Sequence, residues 1–141
     1  MTKFVETTLE DIPLLESWIA ADPYHVNKDT ASWWLTGAQG SYLAFKLVDE
    51  RGTVVFARFD REGDFLRQHG QFAPLDQVSE KRVAISYSEC FPKLITQVKL
   101  DGIRGVVTES VSPKLVAFLC NRLGFVSDVA NDYKLTFSED K

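Results

Sequence analysis

The sequence predicts a mixed α/β domain: one mostly antiparallel sheet with helices on both faces. Three observations carry this. Residues 41–73 read as three strands joined by short turns. Residues 102–125, GIRGVVTESVSPKLVAFLCNRLGF, read as a strand, a capped helix and a stop. Between Thr8 and Asp22, and again between Ser79 and Asp101, apolar residues recur at helical spacing.

Taken in order, residues 3–6 read as a short edge strand. A helix follows, capped by Thr8 or Asp11. Pro13 belongs in a first turn, which favours the later start. Leu14 with Trp18, and Leu15 with Ile19, form its buried face. Asp22-Pro23 ends it. Asn27 or Asp29 caps a second short helix through Trp34 and Leu35, which Gly37 stops. Trp33 and Trp34 are adjacent, so one packs in the core while the other lines a groove.

Residues 41–48 alternate, with Leu43, Phe45 and Leu47 on one side. Residues 49–52 form a hairpin loop, 53–59 a second strand, 60–64 a turn, and 65–73 a third meander strand stopped by Pro74. Ser79 caps a long helix whose stripe is Ala84, Tyr87, Phe91, Leu94, Ile95 and Val98. Pro92 predicts a kink or two segments. Residues 82–87 also alternate as a strand would, but the stripe continues past the proline and favours helix.

Residues 103–109 are β-branched and bounded by turns, which reads as a buried strand. Ser112 and Pro113 then open a helix as cap and first residue. Leu115, Val116, Leu119 and Leu123 share a face, Gly124 stops the helix, and Phe125 returns to the core. Residues 125–127 and 133–137 are closing strands around an Asp/Asn-rich turn, and the SEDK tail is polar.

At 141 residues the chain (1–141) is expected to be one domain with a real core. Hydrophobic residues make up 45%, which excludes a disordered chain. A net charge of −4 gives no general reason to bind nucleic acid or an anionic membrane. No apolar run is long enough for a transmembrane helix, and MTKFVETTLED lacks a signal-peptide core. Cys90 and Cys120 are isolated, as expected of reduced thiols in a cytosolic protein. With only His25 and His69 there is no metal-ligand spacing, and no metal is expected.

The element order β-α-α-β-β-β-α-β-α-β-β, with Ser112-Pro113 and Leu123-Gly124-Phe125, resembles the GNAT family of acyl-CoA-dependent N-acyltransferases. At the level of element order the resemblance covers nearly the whole chain. At the level of motifs it lies in the last third. It implies that acetyl-CoA or another acyl-CoA sits where the sheet splits between the fourth and fifth strands, residues 65–73 and 103–109. Phe72 and Ala73 would then hold pantetheine through their backbone. The start of the following helix, at Arg82, Val83 and Ala84, would hold the pyrophosphate, as helix N-termini hold anions.

Three departures stand out. Ser112 or Pro113 stands where the family often has an asparagine before its fourth helix. Ile85 and Tyr87 occupy the positions of the family's loop glycines. Cys120 aligns with the tyrosine that often protonates the leaving thiolate. The implied catalytic residues are Glu109, as base at the cleft mouth, and Cys120.

Each candidate also has a plainer role. Arg82, beside Lys81, is a phosphate contact or a solvated first-turn arginine. Glu109 is a base or an exposed strand-end carboxylate. His69 shares a face with Gln71 and is a base near neutral pH or a half-buried histidine on the sheet. Cys120 is a proton donor or a structural thiol. Tyr87 and Tyr133 replace the missing tyrosine or pack in the core. Tyr24 and His25 touch an acceptor or stay exposed.

Two functions follow. One is acyl transfer to the amine of a small molecule or peptide. The other is a GNAT-shaped binding or structural protein without acetyl-CoA binding. A third reading, an unrelated mixed α/β domain, fits the element pattern less fully. The aromatic surface of the first two helices suits a homodimer contact.

Overall fold

A computed structural model describes residues 2–23, 30–110 and 112–137. Seven strands form one sheet in the order β1-β2-β3-β4-β5-β7-β6. β1 (Lys3–Glu6), β2 (Leu43–Asp49), β3 (Gly52–Glu62) and β4 (Phe65–Phe72) are antiparallel neighbours. β5 (Gly105–Glu109) runs parallel to β4, and β7 (Asp132–Thr136) is antiparallel to both β5 and β6 (Val126–Ser127). The alternation and turns of residues 41–73 dictated this meander. The long connection from β4 to β5 is a helical crossover, as a parallel pair requires.

α1 (Ile12–Ala20) begins after Asp11, and a 3-10 turn at Leu9–Asp11 precedes it. Thr8 stands at the N-cap of the 3-10 turn and Asp11 at that of the helix, and the Asp11 carboxylate accepts from the Thr8 N–H at 2.9 Å. Leu15, Trp18 and Ile19 are buried, whereas Leu14 is 37% exposed and leaves the expected face. The predicted second helix is only a 3-10 turn, Ala31–Trp34. Two adjacent tryptophans and a left-handed Gly37 leave too few residues for an α-helical stripe. Trp34 is fully buried and Trp33 half-buried. The readings placed on Tyr24, His25, Asn27 and Asp29 fall outside the described residues.

α2 (Glu80–Lys99) is one element through Pro92, not two segments. Pro92 and Ser88 both face solvent. The carbonyl that loses its bond is thereby left to water. Tyr87, Cys90, Phe91, Leu94 and Val98 stay buried on the other side. Ion pairing at one end and a tyrosine at the other pin the helix across the meander: Arg82 to Asp49, and Tyr42 to Asp101 just past the C-terminus. α3 (Pro113–Arg122) is capped as predicted, with the Ser112 hydroxyl accepting from the Leu115 N–H at 3.3 Å. Gly124, at φ 86°, ends it.

Strand alternation divides the sheet into two faces. Leu66, Gln68, Gly70 and Phe72 of β4 share the face of Phe45, Ala57 and Phe59. α2 and α3 cover that face and touch each other through Tyr87–Phe118, and Phe125, just past α3, packs on Phe91. The opposite face carries Phe56, Arg58, Arg67, His69 and Gln71. α1 and the Trp33 turn lie there, with Trp18 edge-on to Phe56 at 5.1 Å.

Candidate functional site

β4 and β5 pair only over residues 65–68 and 105–108. Gln68 against Thr108 is the last pair, and the Thr108 hydroxyl donates to the Gln68 carbonyl at 3.3 Å. The chain then leaves toward β7, where the Ser110 N–H donates to the Asn131 carbonyl at 3.0 Å. Residues 69–72 stay paired with β3, but among the described residues no strand lies on their other edge. The Gln68 carbonyl points to that edge. Two-residue alternation therefore directs the N–H and C=O of Gly70 and the N–H of Phe72 to it as well.

The Gln71 amide, fully buried, donates to the Phe72 carbonyl at 3.1 Å, to Asp22 at 3.1 Å and to the Trp18 carbonyl at 3.5 Å. It ties the end of α1 to the open half of β4. Gln68 is buried on the α2 face, and its Oε1 has no hydrogen-bond partner among the described residues.

On the α1 face a chain of polar groups runs to the opening. Arg58, almost wholly buried, stacks 3.9 Å over the Trp33 ring and donates to the Trp33 carbonyl at 2.5 Å. Its Nε donates to Asp60 at 2.9 Å. The other Asp60 oxygen lies 3.1 Å from His69 Nε2. The His69 ring packs edge-on to Trp33 at 5.0 Å and is about one-third exposed. Burial pushes the His69 pKa down, with Arg58 and Arg67 adding to the effect and Asp60 opposing it. In the paired half, Arg67 joins β4 to β7 by a bidentate contact with Asp132 at 3.0 and 2.9 Å and reaches Glu62 at 2.7 Å.

The phosphate side differs from the expectation. α2 starts at Glu80, so the turn before it is residues 73–79, with Ser79 as cap and no glycine. Arg82 lies in the first turn with its N–H held by the Ser79 hydroxyl at 3.2 Å. Its guanidinium is taken by Asp49 in two bonds of 2.6 and 2.7 Å. Hydrogen bonding from Arg82 drops the Asp49 pKa to about 2. Arg82, expected to meet a phosphate, is paired here with Asp49, because the β2–β3 turn presents a carboxylate beside the helix start. Val83 and Ala84 lie within the helix, half-buried, rather than in a loop. Glu80 puts a negative charge at the helix N-terminus, 3.4 Å from Lys114 at the start of α3. What remains for an anion is the first backbone N–H groups of α2 and the exposed side chain of Lys81.

The other sequence candidates are spread around the opening. Phe72 and Ala73 end β4 at its rim. Glu109 ends β5, exposed, on the same face as His69; continued pairing would have set the two opposite each other. Cys120 is a half-buried free thiol on α3, on the opposite face of the sheet. Ile85 is 48% exposed and lines a shallow hollow with Asp49, Lys81 and Glu89 on the outer side of α2. Tyr87 is buried between Phe91 and Phe118, and burial pushes its hydroxyl pKa up. Tyr133 is half-buried on β7, opposite Thr108.

Sequence reasoning missed Gly70, the Gln68 acceptor, and the Asp60–His69 contact. Asp60 was legible only as a turn residue, because β3 runs three residues beyond its apolar stretch. Among the described residues no group of three or more His, Cys, Asp or Glu is placed to hold a metal, and no helix is long and apolar enough to cross a membrane.

No family profile and no curated protein sequence matches the chain. Solved structures do. A GNAT family acetyltransferase from Brucella melitensis, in complex with acetyl-CoA, is similar over 100% of this chain and 91% of that one, with TM-score 0.59 and 14% identity. An aminoglycoside acetyltransferase in complex with coenzyme A and kanamycin is similar over 96% and 95%, with TM-score 0.66 and 13% identity. The ribosomal-protein-S18-alanine N-acetyltransferase from Escherichia coli is similar over 100% and 97%, with TM-score 0.61 and 16% identity. The chain has the GNAT acyltransferase fold, a seven-stranded mixed sheet with helices on both faces.

Proposed function

We propose that this chain transfers an acyl group from acyl-CoA to an amine of a small molecule or peptide, in the opening between β4 and β5. The observation that carries the reading is the free edge of β4 over residues 69–72, next to a helix N-terminus, in a fold shared with acetyl-CoA and coenzyme A complexes. Gly70, Phe72 and Ala73 would bind pantetheine and polarise the thioester carbonyl through backbone N–H groups. The first turn of α2 and Lys81 would meet the pyrophosphate. Positioning the thioester against the amine supplies most of the rate. Glu109, on the lip of β5, would receive the amine from the α1 face, and Cys120 remains the candidate proton source on the other face. Free Cys90 and Cys120 accord with a reducing, cytosolic setting.

A second reading rests on the glycine-free turn at 73–79 and the engaged Arg82: a GNAT-shaped binding protein that has lost acyl-CoA. Thermal unfolding with acetyl-CoA separates the two. A ligand at about 100 times its dissociation constant adds about 2.7 kcal/mol to the native state, which raises the midpoint by roughly 5–10 °C. A saturable rise supports the transferase. No rise at millimolar acetyl-CoA sinks it and leaves the binding protein.

A further inference from the structure

We infer that His69 takes the proton from the acceptor amine, with Asp60 as its positioning residue; the inference rests on the acyl transfer proposed above. His69 is the first residue of β4 beyond the last β4–β5 pair, so it stands at the point where the opening begins. Asp60, 3.1 Å from Nε2, takes that N–H, which leaves Nδ1 with the lone pair. The ring cannot swing away freely. Trp33 packs on it, and Arg58 locks both Trp33 and Asp60 from below. A base oriented by a half-buried carboxylate on a buried arginine differs in kind from Glu109, whose side chain is exposed at a strand end.

The charged groups around the ring are Asp60 and Arg58 from β3 and Arg67 from β4. On the same face lie Glu109 from β5 and Asp22 beyond α1. Burial and the two arginines favour the neutral ring, the form a base requires, against the opposing pull of Asp60. His69 accepts one proton from the ammonium form of the acceptor. The freed nitrogen attacks the thioester carbonyl carbon, the C–N bond forms, and the C–S bond breaks. The second nitrogen proton ends on the sulfur of coenzyme A. His69 then returns its proton to water.

The test uses the full chain, acetyl-CoA and a panel of primary amines (spermidine, kanamycin, an alanyl peptide), with free thiol as the readout. His69→Gln is expected to lower kcat at least about a hundredfold, while calorimetric acetyl-CoA affinity stays within twofold. The acid limb of kcat/KM, below the ordinary histidine range, should vanish with it. Asp60→Asn removes a carboxylate that raises the His69 pKa, so the acid limb should move to lower pH while kcat falls. Proton NMR of the His69 ring, read without substrate, should show the same downward move.

If wild type turns over an amine and His69→Gln keeps its rate and acid limb, His69 is overturned and the transferase stands. If the acid limb disappears in Glu109→Gln instead, the same holds. If wild type neither binds acetyl-CoA nor acylates any of the panel, the role of His69 and the transferase both fall.

Discussion

The two halves of β4 share a strand and a partner, β3, but differ on their second edge. Residues 65–68 are closed by β5, and everything nearby tightens that closure. Gly105 leaves no room for a side chain: a Cβ there would lie 2.2 Å from the Leu135 carbonyl and 2.3 Å from the Phe65 ring. Lys134 sits 4.4 Å over the same ring, and Arg67 clamps Asp132. Residues 69–72 have no such closure. Their polar side chains, His69 and Gln71, are instead held by the α1 face, through Asp60, Trp33, Trp18 and Asp22. One half spends its chemistry on joining strands; the other keeps a backbone edge free and fixes side chains beside it. The difference arises from where β5 turns away, not from a change in β4 itself.

The largest effect should come from forcing the closed half open. Gly105→Ala is expected to cost about 3 kcal/mol or more, since a backbone carbonyl and a packed ring must both move. Urea denaturation measures it; a loss under 1 kcal/mol would show that the β4–β5 seam is loose and the contrast false.

A smaller effect tests the division between helix anchoring and ligand. Arg82→Ala should cost about 1–2 kcal/mol, because a bidentate, half-buried ion pair is lost. Acetyl-CoA affinity should stay within twofold, since the guanidinium faces Asp49. The cost has a pH signature. Asp49 falls from 3.8 to about 2 in the folded chain, so its contribution is complete above pH 4. It is lost as pH drops through about 2, where wild type and variant should converge. Weaker acetyl-CoA binding in the variant would instead return Arg82 to the phosphate.

The smallest effect concerns the open half's helix. Glu80→Gln removes a negative charge from the first turn of α2, which opposes an anion there. Acetyl-CoA affinity should rise about two- to fivefold. Unchanged affinity would place the pyrophosphate elsewhere.

The sequence by itself determined the elements and most of their ends. Alternation in residues 41–73, the Ser79 and Ser112 caps, and the Gly124 stop are local chemistry, and each reappears in the structure. Element order, with the Ser112-Pro113 and Leu123-Gly124-Phe125 motifs, was enough to read the fold, because strand–helix–strand crossovers leave few topologies. The second helix and the two-segment reading at Pro92 were misread for a shared reason. Helix length and continuity depend on what a segment packs against, and packing is not local.

Only the tertiary structure decided the site. It chose Asp49 as the partner of Arg82 across 33 positions of sequence. It carried Asp60 onto β3 beside His69, and it set Glu109 and Cys120 on opposite faces. These are long-range pairings fixed by strand register and by one close approach at Gly105. A chain read residue by residue shows which groups are available, but the register of seven strands decides which of them meet.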